Sequence, residues 1–148
     1  MRKLLWTLIV SVVMVEFLSC SDNNSAVPPD IAQVKNVQWR LISYDSLGGR
    51  TITLSSTDSV LLFLEETRIA RGTSHGQCGN KYSGVHSSSG ASTLRFDSLS
   101  STEMACSSTR YWEFFGYLPE VTSFGIGANR LYLYFNSGAR KLTFERTP

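Results

Sequence analysis

The residues able to do chemistry are few and scattered. The chain of 148 residues carries three cysteines and two histidines. His75 and Cys78 stand three apart, and His86 can come near them across a hairpin, a set that would suit zinc. No fourth ligand stands at a standard spacing, so neither a metal nor any other cofactor is expected. Cys78 and Cys106 are too far apart in sequence for a C-x-x-C redox pair. Serines are plentiful, but acids such as Asp97 and Glu103 cannot be paired with a histidine from the sequence. Glu65 and Glu66 are adjacent, so on a strand they point to opposite faces and cannot act as paired carboxylates. An enzyme is therefore not expected.

Composition narrows the remaining classes. The net charge is +2, with 42% hydrophobic and 18% charged residues. That is one domain's worth of chain, with no basic stripe for nucleic acid and too much apolar content for disorder.

The third cysteine belongs to an address. Met1-Arg2-Lys3 is positively charged, and Leu4 to Val15 is an apolar run too short to span a membrane as a helix. Phe17-Leu18-Ser19-Cys20 follows, and it resembles the lipobox of bacterial lipoproteins, with Phe17 where Leu is usual. That resemblance implies cleavage after Ser19 and acylation of Cys20. Residues 1–19 are then a signal peptide, and 12 basic and 11 acidic side chains remain. Two or three acyl chains anchor stably where one is marginal, so the membrane is the first expected partner. Ser21 after the cysteine leans toward the outer membrane of a Gram-negative envelope. With Cys20 acylated, Cys78 and Cys106 form an even remainder in an oxidising compartment. They are read as a disulfide, two buried thiols being the alternative. Closing a loop of about 29 residues would stabilise by roughly 3–4 kcal/mol.

Any site must be positioned by the rest of the chain. Residues 20–36, polar and centred on Pro28-Pro29, read as the lipidated cysteine and a tether. From Val37 to Pro148, short apolar runs are cut by Gly, Ser, Asn and Asp. Strands are predicted near Gln38–Tyr44, Thr51–Leu54, Val60–Leu64, Arg68–Thr73, Lys81–His86, Thr93–Phe96, Val121–Gly125, Arg130–Phe135 and Lys141–Glu145. Val60–Leu64 is apolar on both faces and is predicted to be covered on both. Tyr111, Phe114, Phe115 and Leu118 fall on one face of a helix of about three turns, with Ser107, Ser108 or Thr109 as cap and Pro119 beyond its end. A mainly β fold results: a small barrel or strongly curved sheet with one helix packed on it.

Four motifs in order then carry a resemblance. They are Trp39-Arg40-Leu41, the run His75-Gly76-Gln77-Cys78-Gly79-Asn80-Lys81-Tyr82-Ser83-Gly84, the run Thr102-Glu103-Met104-Ala105-Cys106, and a closing strand pair. The chain from Val37 to Phe144 resembles the META domain family of HslJ-like bacterial lipoproteins. Gly79 is inserted between Cys78 and Asn80, and Glu103 stands where Arg is usual. The resemblance implies a lipocalin-like, incompletely closed antiparallel barrel, and association with envelope integrity and stress rather than a defined activity.

Fifteen of the 17 aromatic residues lie beyond the signal segment. They are read chiefly as core. The sharper reading has Trp39, Phe63, Phe114, Phe115 and Tyr132, with Leu118, lining a groove for an acyl chain or a partner segment. Two functions follow: a non-enzymatic envelope module acting through protein contacts, or a lipid-anchored barrel binding a small hydrophobic ligand. Nucleic acid is not an expected partner. The anchor is directly testable. Cys20→Ala should leave an unprocessed precursor that incorporates no labelled palmitate in cells, and palmitate entering that variant would contradict the assignment.

Overall fold

The computed structural model describes residues 29–74, 79–105 and 109–148. Cys20, His75, Cys78, Cys106, Ser107 and Ser108 lie outside the described residues.

Among the described residues nine strands form, and most bury every second side chain, as strands with one face on a core must. They are β1 (Gln38–Asp45), β2 (Thr51–Thr53), β3 (Val60–Leu64), β4 (Ile69–Ser74), β5 (Lys81–Ser87), β6 (Arg95–Ser101), β7 (Ser123–Gly127), β8 (Arg130–Phe135) and β9 (Arg140–Arg146). The order in the sheet is β6-β5-β4-β3-β1-β9-β8-β7, all antiparallel, with short β2 sharing the β3 side of β1. Every consecutive pair from β3 to β6 and from β7 to β9 is a hairpin. Asn136, Ser137 and Gly138 all take positive φ in the turn between β8 and β9, which suits a hairpin whose strands twist right-handedly.

The sheet curls until its ends meet at one point. Phe124 N–H donates to the Ser92 carbonyl at 2.8 Å, and Thr93 bridges Ser123. Beyond that pin β6 and β7 diverge, so the barrel closes incompletely. The seam side is occupied by α1 (Arg110–Tyr117) and the 3-10 turn Leu118–Glu120, which packs against β6.

The inward residues form one core. Trp39, Leu41, Tyr44, Leu62, Leu64, Leu131, Leu133, Phe135, Leu142 and Phe144 come from the sheet, and Tyr111, Phe114, Tyr117 and Leu118 from the helical segment. Phe114 meets Phe144 edge-on at 6.2 Å, and Tyr117 stacks on Phe135 at 4.9 Å. Polar ties hold the helix in this seat. Tyr44 donates its hydroxyl to Glu113 at 2.5 Å, and Arg110 pairs with Asp58 at 3.1 Å.

Four expectations change in detail. The helix is two turns rather than three, because Pro119 lacks an N–H and the chain tightens to a 3-10 turn. Its buried face includes Tyr117, while Phe115 lies half-buried at the margin. The tether's end is part of the domain. Ile31–Gln33 is a 3-10 turn, Val34 is fully buried, and the Trp39 indole donates to the Val34 carbonyl at 2.9 Å. Finally, β6 runs on to Ser101. Ser98 takes φ 52° and, with Leu99, bulges opposite Gly84, where a Cβ would lie 2.7 Å from the Leu99 side chain.

Phe114 is fully enclosed, so Phe114→Ala should cost about 3–5 kcal/mol through lost burial and a cavity. Phe115→Ala should cost clearly less. Denaturant midpoints for the two variants check this ordering, and equal or reversed losses would contradict the seating of the helix.

Candidate functional site

The first candidate groove is filled. Trp39, Phe114 and Leu118 are 3%, 0% and 0% exposed, and Phe115 is half-buried against Tyr82 and Tyr111. These side chains are the core on which the helix sits, not the walls of an opening. Tyr132 lies on the other side of the sheet, against Tyr134 and under the Lys141 ammonium. Of the expected groove residues, Phe63 alone lines an open cavity.

That cavity is on the outer face of β3, β4, β5 and β6, and its volume is about 700 Å³. It begins with a missing side chain. Gly72 of β4 pairs with Tyr82 of β5. A Cβ on Gly72 would lie 1.9 Å from the Leu61 carbonyl oxygen and 2.4 Å from the Tyr82 hydroxyl. With no Cβ there, Tyr82 lies across the strand and donates to the Leu61 carbonyl at 2.7 Å. Burial pushes the Tyr82 phenol well up, with nearby Tyr111 adding to it, so the group stays a neutral donor.

On the outer face, Leu61 and Phe63 form the floor. They are the outward residues of the apolar run Val60–Leu64, whose burial alternates. The run is covered on its inner face only; its outer face opens on the cleft. Arg71, directly opposite Phe63, holds its guanidinium 5.2 Å from the ring centroid and pairs through Nε with Glu65 at 2.6 Å. Lys81 pairs with Thr73 on the same outer face. Hydroxyls of Ser83, Ser100 and Thr102 complete the rim. Among the described residues no aspartate or glutamate lines the cleft; Glu65 reaches its edge through Arg71. The rim is tied to the helix through Ser101 Oγ, 2.5 Å from the Tyr111 hydroxyl.

Asn80 braces the mouth. Its side-chain oxygen accepts from the Met104 N–H at 2.7 Å and the Thr102 hydroxyl at 3.2 Å, and its Nδ2 donates to the Met104 carbonyl at 3.3 Å. Its backbone exchanges hydrogen bonds with Ser74. The segments that follow Cys78 and precede Cys106 are thereby held together. Ser74 also stands in a Gly72-Thr73-Ser74-His75-Gly76 string, the G-x-S-x-G spacing of a nucleophile elbow. Here Ser74, the last residue of β4, is buried, with its Oγ accepting from the Asn80 N–H, whereas an elbow nucleophile is exposed. Glu65 and Glu66 part as expected, Glu66 pairing with Lys35 at 3.1 Å. Among the described residues, no three His, Cys, Asp or Glu side chains converge as metal ligands.

The signal for the cleft was present in the sequence. Five consecutive apolar residues on an antiparallel strand leave two that nothing inside the barrel can cover. Next to them stood a glycine at the register position of a tyrosine, which no side-chain pattern reveals.

These features define a class: a curled, incompletely closed antiparallel sheet with a helix lodged in its seam. The META domain model matches residues 32–148, and the chain belongs to the META domain family. No curated protein matches the sequence. The fold is similar to the crystal structure of a DUF4847 family protein from Bacteroides vulgatus, with a TM-score of 0.56 at 11% identity, over 78% of this chain and 96% of that one.

His86, near the far end of β5, is a further buried titratable group. His86, 2% exposed, donates from Nε2 to the Glu65 carbonyl at 2.9 Å, and its Nδ1 has no partner among the described residues. Burial holds its pKa below 6.5, with Lys35 and Arg68 acting the same way. The unfolded chain therefore takes up this proton at higher pH than the folded one does. Stability should fall as pH drops below about 6.5, by at most about 1.4 kcal/mol per pH unit for one proton. Melting curves from pH 7.5 to 5 should show a steeper acid-side loss in the wild type than in His86→Phe. Equal slopes would contradict it.

Proposed function

We propose that this META domain is a non-catalytic binding module of the cell envelope. In this reading acyl chains on Cys20 hold it to the outer membrane, Cys78 and Cys106 are bridged, and the outer cleft receives the ligand. The supporting observation is the cleft itself: a concave, half-apolar surface without a carboxylate, on a barrel whose interior is packed with its own side chains. Sites of this kind, apolar with a few placed polar groups, are where small molecules bind. The Asn80 clamp favours the bridge by bringing together residues two positions from each cysteine. Packing that begins at Ile31 leaves few residues between the domain and an acylated Cys20, which supports a placement within reach of envelope lipids and proteins. A stress-related role agrees with this placement, since such a module would act on what accumulates in a damaged envelope.

Native mass spectrometry of the full chain from its own host tests the cleft reading. A co-purifying small species is expected on the wild type. It should be lost in Phe63→Glu, which charges the outward-facing floor, and kept in Tyr134→Glu on a distant part of the outer face. A species retained by Phe63→Glu, or none on the wild type, would contradict the reading.

A further inference from the structure

We propose that the ligand of the outer cleft is a single-chain amphiphilic anion, its apolar chain on Leu61 and Phe63 and its acidic head between Arg71 and Lys81. This deepens the cleft reading and rests on it.

Charge complementarity carries the proposal. Two cations and no carboxylate line the cavity, in a chain whose overall charge is nearly balanced. Arg71 faces Ser83 and Lys81 faces Thr73, so the cations are diagonal neighbours on adjacent antiparallel strands and both project outward. Their Cα atoms are then about 7–8 Å apart, and two long side chains spanning that distance can converge on one anion. Glu65 takes the Arg71 Nε–H, so that ion pair does not use the two terminal nitrogens. The Lys81 ammonium makes no ion pair among the described residues. Arg71 is also held in place over Phe63, so its fork is pre-oriented before a ligand arrives. A planar guanidinium suits a carboxylate or phosphate, and an ammonium adds a mobile point charge. Hydroxyls of Ser83 and Ser100 stand beside the head position and can donate to its remaining oxygens.

The floor sets the rest of the ligand. Leu61 and Phe63 are half-buried apolar side chains, with the Arg71 guanidinium over the Phe63 ring. Inorganic phosphate would leave that surface wet, and a neutral alkane or alcohol would leave Lys81 without a counter-charge and Arg71 with Glu65 alone. A molecule with both parts satisfies both halves. Fatty carboxylates and phosphomonoester lipids share this chemistry, and the head group separates them.

The test uses the full chain in zwitterionic nanodiscs, with empty nanodiscs subtracted, and equilibrium dialysis. The probes are octanoate, octyl phosphate, octanol and inorganic phosphate. At least one of the two anionic amphiphiles should bind saturably at one per chain. Octanol and inorganic phosphate should bind at least tenfold more weakly. Arg71→Gln and Lys81→Gln should each weaken the preferred anion about tenfold, and Lys141→Gln, a cation elsewhere on the outer face, should not. The stronger of octanoate and octyl phosphate identifies carboxylate or phosphate as the natural head. Octanol binding as tightly as the anions, or affinity indifferent to Arg71 and Lys81, would overturn the ligand class while leaving the cleft in use. The class also falls if no probe saturates while native mass spectrometry still shows a species lost in Phe63→Glu. Anion binding undiminished by Phe63→Glu would instead overturn the cleft reading itself.

Discussion

The close approach at Gly72 is the constraint on which the rest depends. Tyr82 can reach the Leu61 carbonyl only because no Cβ stands between them. Once seated, its ring becomes the centre of an aromatic group, with Tyr111, Phe114 and Phe115 at 6.5, 5.7 and 6.1 Å. That group is what the helix packs on, and the helix in turn fills the seam that the curled sheet leaves. Gly72 and Tyr82 also line the cavity that Leu61, Phe63, Arg71 and Lys81 surround. One missing methyl group thus couples the core to the cleft.

The family pattern acquires a physical meaning in these contacts. Asn80 is fully buried and clamps Thr102 and Met104 to Ser74, so an aliphatic residue there would remove the side chain that bonds both the N–H and the carbonyl of Met104. Tyr82 supplies the cross-strand hydroxyl. Gly84 makes room for the bulge at Ser98 and Leu99. Trp39 ties the first strand to the turn before it. All four residues organise backbone. The inserted Gly79 sits beside Met104 with room to spare, and so leaves the Asn80 clamp intact.

Much of this was legible from the chain. Alternation in Leu131, Leu133 and Phe135 marked β8 correctly, and Asn136-Ser137-Gly138 marked its turn, because both signals are local. The helix was legible from Tyr111 and Phe114 for the same reason. Its exact face was not, since Tyr117 is buried by Phe135 and Tyr44, partners distant in sequence. The length of β6 was hidden because Asp97 to Ser101 pairs through backbone, with little apolar pattern to show it. Val34 looked like tether and is core, because its burial comes from Trp39 and the turn after β3. The cleft was half legible. Leu61 and Phe63 were conspicuous as apolar residues with nowhere inside to go, but the cations beside them depend on register across three strands.

The stability of Gly72→Ala tests the central coupling most directly. In a strand with room to spare, this change stabilises by about 0.5–1 kcal/mol, because glycine loses more freedom on folding. Here the new Cβ meets the Leu61 carbonyl and displaces the Tyr82 hydroxyl. Overpacking together with a broken buried hydrogen bond should cost roughly 3 kcal/mol, read from denaturant midpoints. Gly116→Ala, with nothing within 4 Å of its new Cβ, is the matched control and should be neutral or stabilising. A large loss at Gly72 beside none at Gly116 is the predicted result, and a Gly72→Ala variant as stable as the wild type would contradict the account.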